Sequence, residues 1–515
     1  MFSRIRTAMC CGVEGRTVYV ETDVARGLPG IYIVGLASTT VMESRERIRS
    51  AIVNSGMDYP HGRITVNLTP ASLRKNSSGF DLPIAVGILT AGLLVDTQAA
   101  ESYGITGELS LDGRVLGVDG LLPMLLNMKD TGVGKIIIPE SNMREALIIS
   151  GIEVYPVRTL NECVALINGS DEISGMLRQR REEITEAFAP QRGSPEMLPD
   201  YADICGQEAA KRAVTIAVTG RHGLLMIGSP GCGKTMLASR IPTIMPPMDE
   251  RELTETAIIY SVTGRNNTEG GIPSVRPFRH PHHTIGRAGL LGGGSIPVPG
   301  EISLAHNGVL FLDEVCEFDR EKIEGLRIPI EEKRITHFRR GANYTFPCDF
   351  QLVMASNPCP CGYYGDSERM CKCSEAQLEQ YRKKLSGPMM DRIDMKISME
   401  KVEYDELSRP AGTLSSAEMA ASVRRGIDFA RETGRTVYNA AMSEADIERY
   451  CSLGPDEDAF MQRAYSSLGL SPRGLRRTLR VARTIADMDE SAEISTGHLA
   501  EALSYRIIEN VNDRR

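Results

Sequence analysis

Three observations predict a multidomain α/β chain. A short apolar run leads into a glycine-rich loop and a helix start near residue 228. Short strand and helix patterns alternate before residue 170, and five helix patterns follow one another after residue 415. The expected parts are an α+β domain over residues 1–170, a linker over 171–196, an α/β core over 197–400 and an all-α domain over 401–515. A length of 515 residues suits about three domains. The 42% hydrophobic content can build real cores, and a net charge of −8 excludes a basic nucleic-acid coat. Any nucleic-acid contact must therefore come from local basic patches. No apolar run is long enough to span a bilayer, and Met1–Arg6 lead into no long apolar stretch, so neither a membrane helix nor a signal peptide is expected. The expected location is the cytoplasm, where the 12 cysteines would stay reduced. Four of them cluster, which points to metal.

In the first 170 residues, Thr17–Glu21, Ile31–Gly35, Arg63–Leu68, Gly104–Leu109 and Lys135–Pro139 read as strands. Val41–Ser55 reads as an amphipathic helix with Val41, Ile48, Ala51 and Ile52 on one face, and Leu82–Leu94 as a buried one. The succession of Lys75–Pro83, Ile105–Leu109, Gly113–Leu116 and Ile138–Asn142 resembles the Lon-protease-type domain. That family uses a Ser–Lys pair. The segment resembling its serine loop reads Phe80-Asp81-Leu82-Pro83-Ile84-Ala85, and the one resembling its lysine helix reads Leu121-Leu122-Pro123-Met124-Leu125, with neither residue. Without a nucleophile and its base there is no acyl-enzyme chemistry, so the resemblance implies a Lon-like fold for assembly or substrate handling, without protease activity. Ser77 and Ser78 suit a turn better than a nucleophile. A charged helix over Arg178–Glu186 and the turn-rich Pro190–Pro195 suit a domain boundary.

Gly228-Ser229-Pro230-Gly231-Cys232-Gly233-Lys234-Thr235 fits G-x-x-x-x-G-K-[ST] at every fixed position, with the apolar strand Gly223–Ile227 before it and a helix start after it. Glycines let successive N–H groups face phosphate oxygens, and the helix start adds partial positive charge. Lys234 would reach the β- and γ-phosphates of ATP, and Thr235 would hold Mg²⁺. Gly308–Glu314 is an apolar strand ending in two carboxylates. In a parallel sheet its end lies beside the phosphates, so Asp313 would bind Mg²⁺ and Glu314 would polarise the attacking water. Asn357 closes the strand Phe350–Ser356 and fits a γ-phosphate sensor. Arg392, in Ser386–Asp394, fits an arginine finger acting on a neighbouring copy, which implies a ring and most simply a hexamer.

Two insertions stand out. Gly270–Ile302 carries Arg276, Arg279, Arg287 and the histidines His280, His282 and His283. Nucleic-acid contact, a structural loop and a metal site are all open for it. Lys333–Tyr344 reads as a basic-tipped hairpin, either a pore element or a solvated surface. Cys359, Cys361, Cys371 and Cys373 form C-x-C, nine residues, C-x-C. Four thiolates suit tetrahedral Zn²⁺, which would brace the loop after Asn357; reduced, metal-free thiols are the alternative.

Asn357–Gly362, Pro299–Gly308 and Ser386–Asp394 resemble the magnesium-chelatase-like AAA+ ATPases of the ComM/YifB type, and the Lon-like domain belongs to the same pattern. The resemblance covers essentially the whole chain. It implies a hexameric ring ATPase with an AAA+ P-loop core, in which ComM-type members act as DNA branch-migration helicases. It also implies that the Gly206-Gln207 turn lies near adenine. Helices expected over Ser415–Glu432, Ser443–Tyr450, Pro455–Leu468, Arg473–Met488 and Ser495–Glu509 match its helical lid. There Arg473 fits a second nucleotide sensor, with Arg477 the competitor. The reading is an ATP-driven ring motor on single-stranded or branched DNA. The alternative is a motor remodelling a protein partner, as in magnesium chelatase.

Overall fold

The structure, a computed structural model, describes residues 1–75, 77–188, 199–265, 275–339, 342–366, 369–384, 387–402 and 413–506. Asn76, Gly270, the hairpin residues Arg340 and Gly341, Ser386, Pro190–Pro195 and the last residues of the fifth C-terminal helix pattern lie outside them.

The first strand, β1 (Phe2–Cys11), escapes the hydrophobic pattern. Its inward face carries Ser3 and Thr7 as well as Ile5 and Met9, all buried, so the alternation is half polar. Ser3 satisfies its hydroxyl by donating to the Gly87 carbonyl at 2.8 Å. β1 joins β2 (Glu14–Ala25), β3 (Gly30–Val34), β4 (Arg63–Thr69), β5 (Tyr103–Ile105), β8 (Lys135–Pro139) and β9 (Glu153–Val157) in a mixed sheet ordered β3-β4-β2-β1-β5-β8-β9. The expected single strand Gly104–Leu109 breaks into β5 and β6 (Glu108–Leu109), and β6 pairs with β7 (Val115–Leu116) as a small ribbon. Helix Asp81–Ala91 is buried along its whole length and packs on β1 and β2, as its apolar residues on every face require.

The second sheet is parallel, ordered β11-β12-β15-β10-β16, from β10 (Leu224–Gly228), β11 (Phe278–Arg279), β12 (Val309–Leu312), β15 (Gln351–Ser356) and β16 (Met395–Met399). β13 (Arg334–Arg339) and β14 (Ala342–Pro347) form a separate hairpin just before β15, longer than its sequence signal. Pairings such as Ile227 with Ser356 and Gly228 with Met399 bring the C-terminal ends of β10, β12, β15 and β16 to one edge.

Five helices, Ser416–Glu432, Glu444–Tyr450, Pro455–Leu468, Pro472–Met488 and Thr496–Ser504, complete the described chain. Ser415, Ser443 and Ser495 cap three of them through reciprocal side-chain to backbone bonds, a start signal legible in the sequence. These helices share one hydrophobic core with the parallel sheet: Val481, Ile485 and Met419 pack with Val214, Leu224 and Leu237. Ile485→Ala should therefore destabilise the sheet and the helices together, by about 2–5 kcal/mol, read as a single shifted urea transition.

The two sheet units touch where helix Glu250–Val262 ends on the start of helix Leu121–Asp130. Gly120 N–H donates to the Ser261 carbonyl at 2.9 Å and Leu122 N–H to the Ser261 hydroxyl at 3.1 Å.

Candidate nucleotide site

Gly231 and Gly233 take φ of +84° and +93°, a conformation that strains any other residue, and open space lies where their side chains would be. The loop therefore curls after β10 with room for phosphate oxygens. Lys234 Nζ lies under it, donating to the carbonyls of Gly228 (2.6 Å) and Ser229 (3.1 Å) and to Asn357 Oδ1 (3.3 Å). Thr235 Oγ1 donates to Asp313 Oδ2 at 2.6 Å, a hydroxyl–carboxylate pair of hard oxygens that fits Mg²⁺. Glu314 follows with φ +49°, a left-handed backbone for a bulky residue that turns the chain sharply off the end of β12. Lys234, Thr235, Asp313, Glu314 and Asn357, spread over 124 residues of sequence, thus gather at one sheet edge. Gln207 joins them, its amide donating to the Cys232 carbonyl (3.4 Å) and the Glu400 carbonyl (2.6 Å).

Arg392 and Arg473 are not in this group. Asp394 N–H donates to the Gly223 carbonyl at 3.1 Å, which sets the Asp391–Asp394 turn at the N-terminal end of β10 and β16. At about 3.3 Å per residue, that is roughly 15 Å along the strand from the phosphate loop. Arg392 pairs there with Glu331 at 2.7 Å. The helix bearing Arg473 starts at the same end, where Arg477 pairs with Asp394 at 2.7 Å and Arg506 donates to the Ile393 carbonyl at 2.8 Å. Arg477, the competitor, is thereby engaged with Asp394, while Arg473 is exposed. Burial pushes the Asp394 carboxyl up, but the His222 hydrogen bond and the Arg477 charge outweigh it and hold it at about 2. This contribution of Asp394 to stability is complete at neutral pH and fades only as pH falls from about 4 toward 2.

Of the three readings open for the insertion before β12, the structure supports a structural loop at Arg276 and Arg279. Arg276 is buried, paired with Glu252 at 2.7 Å and donating to the Pro246, Pro247 and Asn307 carbonyls; Arg279 forks onto Glu301 at 2.6 and 2.8 Å. Both hold β11 against the core and are spent on carboxylates. Arg287 is exposed but pairs with Glu321 at 2.7 Å. The histidines do not form a metal site either: among the described residues only the four cysteines converge as ligands. His283 enters the sequence reading only as one of three clustered histidines. The structure sets its Nδ1 3.8 Å from Glu314 Oε2, a neighbour of that carboxylate without a direct hydrogen bond. The His-Pro-His-His run was its only signal.

The Cys359 and Cys361 sulfurs lie 3.3 Å apart, Cys359 and Cys371 3.7 Å, and Cys361 and Cys371 3.6 Å, with Cys373 in the same cluster. N–H groups of Lys372 and Tyr363 pull the Cys361 thiol down to about 6, while burial and the neighbouring Cys361 push Cys359 up to about 12.

At the Lon-like site Ser77 accepts from Gly79 N–H at 3.0 Å, the turn role its sequence suggested. Asp81 is buried beside Arg47 at 2.7 Å, and burial lifts it to about 6 despite that partner. No helix among the described residues is long and apolar enough to cross a membrane.

The family described as magnesium chelatase, subunit ChlI, matches residues 200–407; the related descriptions, subunit ChlI of Mg-chelatase and the subunit ChlI C-terminal region, match 20–142 and 413–506. The competence protein ComM of Haemophilus influenzae is 40% identical over 96% of this chain and 95% of its own length. The uncharacterized protein YifB of Escherichia coli is 39% identical over 99% and 98%. The archaeal Lon protease of Methanocaldococcus jannaschii is 36% identical over 31% of this chain and 23% of its own length. With a phosphate loop, paired carboxylates and a Lon-like first unit in one chain, the protein belongs to the ComM/YifB family of magnesium-chelatase-like AAA+ ATPases.

Proposed function

We propose that the chain is a cytoplasmic, ATP-hydrolysing ring motor, six copies to a ring, that moves or remodels single-stranded or branched DNA, as in branch migration. The observation that carries the DNA reading is the hairpin β13–β14. It leaves Phe338 66% exposed and Arg339 exposed beside the tip, a stacking surface next to a cation. The hairpin ends at Pro347, only four residues before β15, the strand that leads to Asn357. Motion at the γ-phosphate can therefore reach the hairpin through one strand.

In this reading Lys234 and the loop N–H groups bind the phosphates, Glu314 accepts the proton of the attacking water, and Asn357 orients it. Thr235 and Asp313 would hold Mg²⁺, which would supply positive charge beside the phosphates. Arg392 and Arg473, at the far end of the sheet from their own loop, serve the neighbouring copy's nucleotide, so a site is complete only in the ring.

The test is ATP hydrolysis with and without a four-way DNA junction, across a salt series. Junction-stimulated hydrolysis that weakens with salt is expected. Phe338→Ala and Arg339→Ala should each weaken apparent DNA affinity about tenfold, the size of one lost base stack or phosphate contact. An assembled ring whose rate ignores DNA at low salt would sink the DNA reading. It would favour a motor acting on a protein, as the chelatase name of the matching family suggests.

A further inference from the structure

Four cysteine sulfurs all lie within 4.8 Å of one another, close enough for one small cation to reach all of them. A tetrahedral Zn²⁺ with Zn–S near 2.3 Å places its sulfurs about 3.8 Å apart. The separations of 3.3, 3.6 and 3.7 Å lie just inside that edge length, so a small outward shift of the sulfurs seats the ion. The backbone is arranged to serve thiolates. N–H groups of Lys372 and Tyr363 point at Cys361, that of Tyr364 at Cys359, and Cys373 N–H lies 3.5 Å from the Cys371 sulfur. Gly362, with φ +85°, makes the turn between the two halves, and its N–H donates to the Cys359 carbonyl at 3.0 Å.

The position of this cluster gives it a role. The Gly362 turn lies directly on the phosphate loop: a Cβ there would sit 2.8 Å from Pro230 Cγ and Cδ. Cys359 follows Asn357 by two residues. Asp366, its side chain 3% exposed, pairs with Lys401 at 3.5 Å, and the adjacent Glu400 carbonyl holds Gln207. The cysteine loop thus touches the phosphate loop, continues the Asn357 segment and pairs with the Glu400-Lys401 stretch that accepts from Gln207. We propose that Cys359, Cys361, Cys371 and Cys373 bind one Zn²⁺ that clamps the Gly362 turn against Pro230, making nucleotide affinity depend on the metal. The dependence rests on the ATP-binding reading of the loop; the metal site does not.

Elemental analysis of the full-length protein, purified without added metal, should find one zinc per chain. It should be lost in Cys371→Ser/Cys373→Ser, and Co²⁺ exchanged into the wild type should show the visible bands of a tetrahedral tetrathiolate. Iron in place of zinc, or no bound metal and no cobalt spectrum, overturns the site. Affinity for a fluorescent ATP analogue is then measured on wild type before and after chelation, with circular dichroism confirming a folded chain. Zinc removal should weaken nucleotide binding. Gly362→Ala, which keeps all four ligands but collides with Pro230, should weaken nucleotide binding while retaining zinc. Unchanged affinity in folded, zinc-free protein overturns the clamp. Wild type that binds no nucleotide even with zinc present overturns the ATP reading instead, so the two failures are distinct.

Discussion

Glu314→Gln should abolish turnover while leaving ATP bound. The substitution keeps size and hydrogen-bonding reach but removes the group able to take a proton from water. General-base loss costs about 10²–10⁴-fold in kcat. Glu314 stands at the open end of β12, its side chain 54% exposed and facing His283, with Asp313 beside it. Little packing is lost, so the variant should unfold within about 0.5 kcal/mol of wild type. The measurement is phosphate release under saturating ATP, alongside equilibrium binding of a fluorescent ATP analogue. Retention of more than a tenth of the wild-type rate would remove Glu314 from the role. His283→Ala, assayed the same way, would show how far that carboxylate depends on its neighbour for orientation.

Arg392→Ala should be as damaging, but curable by a different broken subunit. Removing an arginine finger costs about 10³–10⁵-fold in kcat. Arg392 pairs with Glu331 at 2.7 Å, a half-exposed carboxylate that stays in contact with solvent when the arginine is truncated. It lies at the N-terminal end of β16, and the phosphate loop starts at the C-terminal end of the paired strand β10. Mixing settles where it acts. A Lys234→Ala subunit has a dead loop but an intact Arg392, and an Arg392→Ala subunit has the reverse. If the finger works across the interface, mixed rings regain complete sites and hydrolyse faster than either variant alone. A mixture as inactive as its parents, in rings shown to contain both chains, would place Arg392 outside the neighbour's site. Arg473→Ala can replace Arg392→Ala in the same experiment.

Legibility in the sequence followed how local each requirement is. The phosphate loop is readable because eight consecutive residues carry the whole constraint, including the left-handed turns at Gly231 and Gly233. Helix starts at Ser415, Ser443 and Ser495 are readable because a cap and its partner lie three residues apart. Strand β1 was not, because Ser3 and Thr7 face inward and their satisfaction depends on groups such as the Gly87 carbonyl, 84 residues away. Which of the readings open for Arg276 holds was not legible for the same reason: its burial depends on Glu252 and on the carbonyls of Pro246 and Asn307, none of them near it in sequence.

By itself the sequence determined the fold class, the family and the set of chemical groups: a loop for phosphates, two carboxylates after a strand, four thiols in two pairs. These are short-range patterns of backbone need and side-chain type. The tertiary structure alone decided which groups meet. It gathered Thr235 with Asp313 and Lys234 with Asn357, and sent Arg392 and Arg473 to the opposite end of the sheet. It also set the Gly362 turn on Pro230. The reason is that strand order and direction in a parallel sheet come from long-range packing, and a side chain's partner is fixed only when distant segments close on one core.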